Sequence, residues 1–416
     1  MSTFKFLHAA DLHLDSPLLG LANKSPDFAA KVERASRQAF DNLLDLAIDE
    51  NVAFVVLAGD VFDGDLRNFQ TGLIFTGAMR RLEEAGIRVF LIAGNHDAEN
   101  RYASRLSYSD NVRLFGHKAP ESVEIEELGV VVHGQSFGQR DVIENLARIY
   151  PPPQANRFNI GVLHTACAGS EGPHAAYAPC TVEQLVNHGY DYWALGHVHA
   201  RAVLNEHPHV VYPGNLQGRH AREAGPKGAT LVTVEDGQVI GCEHRDLDAV
   251  RWARISLEVA AATTVQDLLQ SVRDAVEPIS VEAGERPTAL RLRLEGESIL
   301  HGELMLAPKS VHEDVEALLA SLNGEIWLEK LEVATRPPAA TAMLDPTVSG
   351  ALRSQIAELA GDLGEGLEAC LTDIRTKLPA HARVEELFDR LRAQAPERAL
   401  TIALSLAGGG EIDHED

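Results

Sequence analysis

The sequence predicts an α/β fold with a mostly parallel sheet, followed by a small α+β domain and a helical C-terminal segment. Three observations predict it. First, residues 53–58 form a continuous apolar run with β-branched members, as in a strand buried on both faces. The run stops at Gly59, where the backbone can turn sharply, and Asp60 follows. Second, four more apolar runs end in metal-binding residue types. Residues 4–10 precede Asp11-Leu12-His13, and 88–93 precede Gly94-Asn95-His96-Asp97. Residues 159–163 precede His164, and 190–195 precede Gly196-His197-Val198-His199. Third, stretches with helical spacing separate the strands, and β-α-β alternation implies parallel pairing.

In chain order, 31–51 carries Val32, Ala35, Ala39, Phe40, Leu43, Leu44, Ala47 and Ile48, one apolar face of a helix. Residues 69–85 repeat that spacing and stop at Gly86, a candidate C-cap. Residues 122–137 predict short strands around Val130-Val131-Val132. A helix is expected over 141–150, ended by Pro151-Pro152-Pro153. Another is expected over 181–188, opened by a Thr181/Gln184 capping box. Strands over 209–213 and 229–234 close the first domain near Asp246.

The pattern changes at Arg251. A strand (252–259), a helix (264–276), a strand (288–294), a helix (311–322) and a strand (325–335) predict a separate small domain. The middle strand alternates Leu290, Leu292 and Leu294 with Arg291 and Arg293, a pair able to touch phosphate or simply to face solvent. Arg336-Pro337-Pro338-Ala339-Ala340 reads as a linker before helical stretches near 348–360, 365–378 and 383–394. The expected divisions are 1–247, 250–336, 341–407 and a disordered tail, 408–416.

Composition bounds the class. The chain has 416 residues, 45% of them hydrophobic, enough for two or three domains. Neither a secretory h-region nor a membrane-length apolar run is evident, so a cytoplasmic protein is expected, without membrane association. Its four cysteines form no C-x-x-C pair, which argues against a disulfide framework. The formal net charge of −24 opposes free-standing tight DNA binding, which relies on Lys and Arg.

The ordered set D-x-H, G-D-x-x-D, G-N-H-D, His and G-H-x-H, running from Asp11 to His199, resembles the calcineurin-like metallophosphoesterases. The stretches 11–20 (DLHLDSPLLG), 59–65 (GDVFDGD) and 212–222 (YPGNLQGRHAR) resemble, within them, the SbcD-type DNA-repair exonucleases of the YhaO-like branch. The resemblance implies a metallophosphoesterase β-sandwich flanked by helices, a DNA-contacting capping domain, and C-terminal helices that dock an SbcC-like coiled-coil ATPase. It also implies a homodimer through helices near the Asp60 and Asn95 loops.

Phosphodiester hydrolysis needs a strong nucleophile at neutral pH and a sink for charge. Two metals about 3.5–4 Å apart, with a bridging hydroxide, supply both. By the family pattern one metal takes Asp11, His13, Asp60 and His199, and the other Asp60, Asn95, His164 and His197, with Asp60 bridging. A carboxylate, imidazole and amide set suits Mn²⁺, Fe or Zn²⁺ better than Mg²⁺ or Ca²⁺. The nuclease resemblance favours Mn²⁺. His96 matches the family histidine that contacts the scissile phosphate and protonates the leaving oxygen, with Asp97 orienting it or capping the next helix.

One position departs from many relatives, which place a second histidine three residues after the bridging aspartate. Asp63 stands there and is expected near substrate, orienting His96 or a ligand. Arg67 is a candidate to replace the missing positive charge. Gly214, Asn215, Gly218, Arg219 and His220 form a polar loop suited to lining the cleft, with Arg219 a further substrate-binding candidate. His133 matches no ligand position and reads as structural. The function expected is therefore the nuclease subunit of an SbcCD-like repair complex. A phosphatase or cyclic-nucleotide phosphodiesterase of the same superfamily, and a non-catalytic scaffold, are the alternatives.

Overall fold

The computed structural model describes residues 3–16, 18, 26–63, 69–100, 106–168, 177–338, 367–368, 370–375 and 388–392. Arg67, most of 341–407 and the tail 408–416 therefore lie outside the described residues. The chain divides into two compact units. One holds Met1–Ala253 with Ala283–Ala289, and the other Arg254–Glu282 with Leu290 onward.

The first unit begins with β1 (Thr3–Ala9), α1 (Pro26–Asp49), β2 (Phe54–Ala58), α2 (Phe69–Glu84), β3 (Arg88–Ile92), α3 (Asn95–Glu99) and β4 (Val112–Leu114). It continues through β5 (Glu121–Ile125), β6 (Val130–Gly134), β7 (Phe158–His164), β8 (Cys167–Ala168), β9 (Cys180–Thr181) and α4 (Val182–His188). It closes with β10 (Tyr192–Gly196), β11 (Ala202–Glu206), β12 (His209–Tyr212), β13 (Gly228–Glu235) and β14 (Gln238–Asp246).

These strands make two six-stranded sheets, ordered β14-β13-β1-β2-β3-β4 and β11-β12-β10-β7-β6-β5. In the first, β1 pairs in parallel with β2, β2 with β3, and β3 with β4. In the second, β12, β10, β7 and β6 run parallel. The parallel strands carry continuous apolar runs because both their faces are covered: every residue of β2 and of β7 is buried. One apolar layer lies between the sheets and includes Phe6, Phe54, Phe90, Ile160, Val162 and Tyr192. A second packs the first sheet against α1 and α2, through Phe40, Leu43, Phe75 and Met79. A third covers the outer face of the other sheet with Leu185 of α4, Trp193 and Tyr150. The result is the expected helix-flanked β-sandwich.

Two helices differ from their expected extents. Helix α1 begins five residues earlier than its spacing suggested, because Phe28 extends the apolar stripe and is fully buried. The helix expected over 141–150 is not formed; only Leu146–Ile149 makes a 3₁₀ turn. The apolar spacing was real, since Val142, Leu146, Ala147 and Tyr150 are all buried. However, the Val142 carbonyl accepts from Ala178 N at 2.6 Å, so it is committed elsewhere and helical pairing is not propagated. The α4 capping box does form. Gln184 N donates to Thr181 Oγ1 at 3.2 Å and Thr181 N to Gln184 Oε1 at 3.1 Å.

The second unit holds the greater part of β15 (Arg251–Glu258), α5 (Val265–Ala283), β16 (Thr288–Glu297), α6 (His301–Leu306), α7 (Pro308–Leu322) and β17 (Ile326–Arg336). Its sheet is ordered β15-β16-β17. Leu290, Leu292 and Leu294 of β16 are fully buried on one face, as their alternation requires. On the other face Arg291 is held bidentate by Glu329, at 2.7 and 2.6 Å. Arg293 lies 2.9 Å from Glu295 and 3.6 Å from Glu332. Both guanidiniums are thus matched by carboxylates of the same sheet. No helix of the described residues is long and apolar enough to cross a membrane.

Phe54 stacks on Phe6 at 5.0 Å and meets Phe90 edge-on at 5.6 Å, at the middle of the inter-sheet layer. Replacing Phe54 with Ala should destabilise the protein by about 3–5 kcal/mol, since this layer cannot collapse around the void. The shift in denaturant midpoint measures it. A loss under about 1 kcal/mol would mean that the layer is loosely packed.

Candidate metal centre

The parallel strands β1, β2, β3, β7 and β10 bring their carboxyl ends to one edge of the sandwich. Beyond them the backbone leaves β geometry abruptly. Asp11 (φ 51°), His13 (φ 42°), Asp60 (φ 52°) and His197 (φ 104°) all have left-handed φ, unusual for residues other than glycine. Such strain is held only where the surroundings over-determine it. Here hydrogen bonds between successive loops do so. Asp11 N donates to Gly59 O at 3.0 Å, His13 N to Asp60 O at 3.0 Å and Leu14 N to Val61 O at 2.9 Å. Close approach adds to this. A Cβ at Gly94 would meet Asp60 Oδ1, and one at Gly196 would meet the Ala58 carbonyl, so only glycine fits before Asn95 and His197.

The side chains converge. His13 Nε2 lies 3.2 Å from His199 Nε2 and 3.9 Å from Asp60 Oδ2. His199 Nε2 lies 3.9 Å from Asp11 Oδ1. His164 Nε2 lies 3.5 Å from Asp60 Oδ2 and 3.0 Å from Asn95 Oδ1. Among the described residues three overlapping groups have ligand atoms within 4.8 Å of one another: Asp11/His13/His199, His13/Asp60/His96 and Asp11/Asp60/His164. Asp60 therefore faces both His13 and His164. His197 stands beside this set, its ring 5.2 Å from that of His164 and 5.5 Å from that of Tyr177. Its backbone N donates to Asp11 Oδ2 at 3.0 Å.

The donor chemistry fits divalent cations. His164 Nδ1 donates to the Ala58 carbonyl at 2.9 Å, which leaves Nε2 bare and aimed at Asp60. His199 Nδ1 lies 2.7 Å from Glu223 Oε1, and His13 Nδ1 3.5 Å from Asp63 Oδ1. All three imidazoles thus turn Nδ1 toward an acceptor and Nε2 toward the cluster. Burial pushes Asp11 well above the usual carboxylate range, helped by the charge of Asp60, and pushes Asp60 to about 6. Burial also pushes His13 well down and His164 to about 3. Carboxylates that resist ionising and imidazoles that resist protonation, packed together, are stabilised by a bound cation.

Of the two roles the sequence allowed for Asp97, the structure shows the capping one: at the third position of α3 it accepts from the N-cap N–H of Gly94. Its carboxylate accepts from Phe62 N at 2.9 Å, Gly94 N at 3.0 Å and Val61 N at 3.2 Å. It ties the loop after β2 to the loop after β3. Burial, reinforced by the Asp60 charge, raises it to about 7. The carboxylate beside His96 is instead Asp63, with Oδ1 3.3 Å from His96 Nδ1. Asp63 also lies 3.7 Å from Arg219 Nη1, so Arg219 is drawn to the same edge. Arg67, lying outside the described residues, is given no place here.

Sequence reasoning missed Glu223 and Lys227. Lys227 donates from Nζ to the His199 carbonyl at 2.8 Å. Burial alone would raise Glu223, yet its hydrogen bond with His199 and the nearby Arg219 charge hold it well below the usual range. Neither residue has ligand spacing. The available signal was chemical: a ligating histidine needs an acceptor for its second nitrogen, and Glu223 follows the polar loop directly. His133 is structural as expected, stacked on Tyr190 at 4.4 Å.

Replacing Asp97 with Ala should lower unfolding free energy by about 1–3 kcal/mol, because buried N–H groups lose their acceptor. His96→Ala, at a side chain 28% exposed, should change stability by less than about 0.5 kcal/mol. Denaturant titration of both variants separates a loop tie from an imidazole partner. The opposite order would restore the orienting role of Asp97.

Residues 4–201 match the model for calcineurin-like phosphoesterases, and residues 252–336 match that for the middle domain of metallophosphoesterase YhaO. The uncharacterized metallophosphoesterase YhaO of Bacillus subtilis is 35% identical over 376 residues, covering 88% of this chain and 91% of that protein. The DNA double-strand break repair protein Mre11 of Methanopyrus kandleri is 24% identical over 351 residues, covering 72% of each. The protein of the same name from Haloferax volcanii is 25% identical over 393 residues, covering 92% of this chain and 82% of that protein. On the ordered motifs, the converging strand ends and this similarity along nearly its whole length, the chain belongs to the calcineurin-like metallophosphoesterases.

Proposed function

We propose that this metallophosphoesterase hydrolyses phosphodiesters of DNA with two divalent metals, as the nuclease subunit of a repair complex. The observation that carries the reading is the convergence of Asp11, His13, Asp60, His164 and His199 from separate strand ends. In this reading Asp11, His13, Asp60 and His199 would hold one metal, and Asp60, Asn95, His164 and His197 the other. The ions are Mn²⁺, a choice that rests on the family resemblance, and when bound they polarise the phosphate and lower the pKa of water.

The chain's own residues do the rest. Asp60 faces both His13 and His164 and would serve both ions. His96 stands at the open side of the cluster, in edge contact with His13 at 4.9 Å, and delivers a proton to the leaving oxygen. Asp63 orients it through Nδ1. Arg219 steadies a non-bridging phosphate oxygen. DNA as substrate is supported by similarity to proteins named for double-strand break repair, and by length and a second unit beyond the phosphoesterase match. A net charge of −24 fits a nuclease loaded by a partner that brings the DNA-binding surface. That partner is an SbcC-like coiled-coil ATPase docked by the C-terminal segment, with homodimerisation near the Asp60 and Asn95 loops, in the cytoplasm.

Chelation should abolish activity and Mn²⁺ should restore it, assayed on linear duplex DNA, single-stranded DNA, cyclic nucleotides and a chromogenic phosphodiester. Full activity in excess chelator would refute the two-metal reading. Turnover confined to cyclic nucleotides or phosphomonoesters would replace the nuclease with a small-substrate enzyme. Asp60→Asn should lose metal and activity together. His96→Ala should keep both metals and lose about 10²–10⁴-fold in turnover; loss of metal from His96→Ala alone would reverse the two roles. Truncation after Pro338 should leave diester cleavage near the full rate while ending co-purification with the ATPase. Retained ATPase binding would remove the C-terminal segment from that interface.

A further inference from the structure

Glu223 is 9% exposed and uses both carboxylate oxygens. Its Oε1 lies 2.7 Å from His199 Nδ1 and 3.4 Å from Arg219 Nη2. Its Oε2 accepts from Arg219 N at 2.7 Å and from Asn215 Nδ2 at 2.9 Å. His220 Nε2 approaches Oε1 at 3.7 Å. One buried carboxylate thus joins a histidine of the metal cluster to the arginine beside it.

A neutral imidazole has one N–H and one bare nitrogen, and its neighbours decide which is which. Arg219 Nη2 stands 3.2 Å from the same His199 Nδ1. A guanidinium only donates, and an ionised carboxylate only accepts. The two therefore demand opposite tautomers. With Glu223 present, the proton sits on Nδ1 and the Nε2 lone pair faces His13 and Asp11. With Glu223 removed, Arg219 becomes the neighbour of Nδ1. It favours the tautomer carrying its proton on Nε2, which cannot ligate.

We propose that Glu223 is a positioning residue for the metal centre: it holds His199 in its ligating tautomer against the competing claim of Arg219, and keeps Arg219 at the edge of the site. This rests on the two-metal reading above. It adds that one of the two metal positions depends on a carboxylate that touches neither metal nor substrate.

The test is calorimetric titration of Mn²⁺ into the full-length apo protein. Wild type should bind two ions. Glu223→Ala should weaken one of them about 10–100-fold and leave the other unchanged. Glu223→Gln, whose side-chain carbonyl can still accept from Nδ1, should lose less. The double variant Glu223→Ala with Arg219→Ala should recover part of the lost affinity, because His199 is then free to choose its tautomer. A merely structural role gives the reverse, with the double variant binding more weakly than the single. If Glu223→Ala does not fold, Glu223→Gln is titrated in the wild-type and His199→Ala backgrounds. A loss seen only when His199 is present supports the proposal; equal loss in both, or none in either, overturns it. Two ions bound by Glu223→Ala at wild-type affinity also overturn it while leaving the two-metal reading intact. A wild-type protein that binds no Mn²⁺ overturns that reading itself.

Discussion

The structure turns on burying Asp11 and Asp60 within a few ångströms of several imidazoles. Buried carboxylates are costly unless paired, and neutral histidines cannot pair them fully. The site is therefore built in two layers. Inside, bare oxygens and nitrogens face one another. Outside, several are fixed by an acceptor or donor of the protein: the Ala58 carbonyl behind His164, Glu223 behind His199, and the N–H of His197 on Asp11. The His96 N–H donates to Asp60 Oδ1 at 2.9 Å in the same way. This arrangement suits cations, which both carboxylates and imidazoles can share.

The sandwich supplies the stiffness that such a layered site needs. Each strand end alone would place its ligand loosely. Parallel pairing continues past the strands, through the Leu14↔Phe62 bridge, so the first two loops move as one. Asp15 extends the clamp by taking the Arg37 guanidinium of α1, at 2.5 and 2.8 Å, together with the Thr71 hydroxyl of α2. Asp97 then joins the second loop to the third. The strained φ values of Asp11, His13 and Asp60 persist because loops, helices and carboxylate ties all oppose their relaxation.

Charge is distributed in keeping with an acidic chain. Among the described residues many guanidiniums are matched by carboxylates, including Arg291 and Arg293 on the β16 face that could otherwise have offered phosphate contacts. The exposed Arg293–Glu295 pair adds little stability. The consequence of pairing both arginines is electrostatic: their charges on that strand face are matched. Arg219, drawn toward the cluster by Asp63 and Glu223, brings a positive charge to the edge of the site.

The sequence by itself determined the architecture and the candidate ligand types. Strand and helix periods are local, so 53–58, the Thr181 capping box and the Leu290–Leu292–Leu294 alternation could all be read directly. Motif order and spacing singled out Asp11, His13, Asp60, Asn95, His164, His197 and His199 as candidates for the same reason: each sits within four residues of the end of an apolar run. What only the tertiary structure decided is which polar groups meet across elements. Asp97 follows His96 in sequence, yet its carboxylate reaches Val61 and Phe62, because the loops after β2 and β3 stack side by side. Asp63 and Glu223 lie 33 residues before and 24 residues after the histidines they contact. No local pattern can encode a partner at that separation, since sheet order and loop packing set it. The failed helix over 141–150 has the same cause: its apolar spacing was legible, but the carbonyl of Val142 was claimed by a backbone N–H from a distant part of the chain.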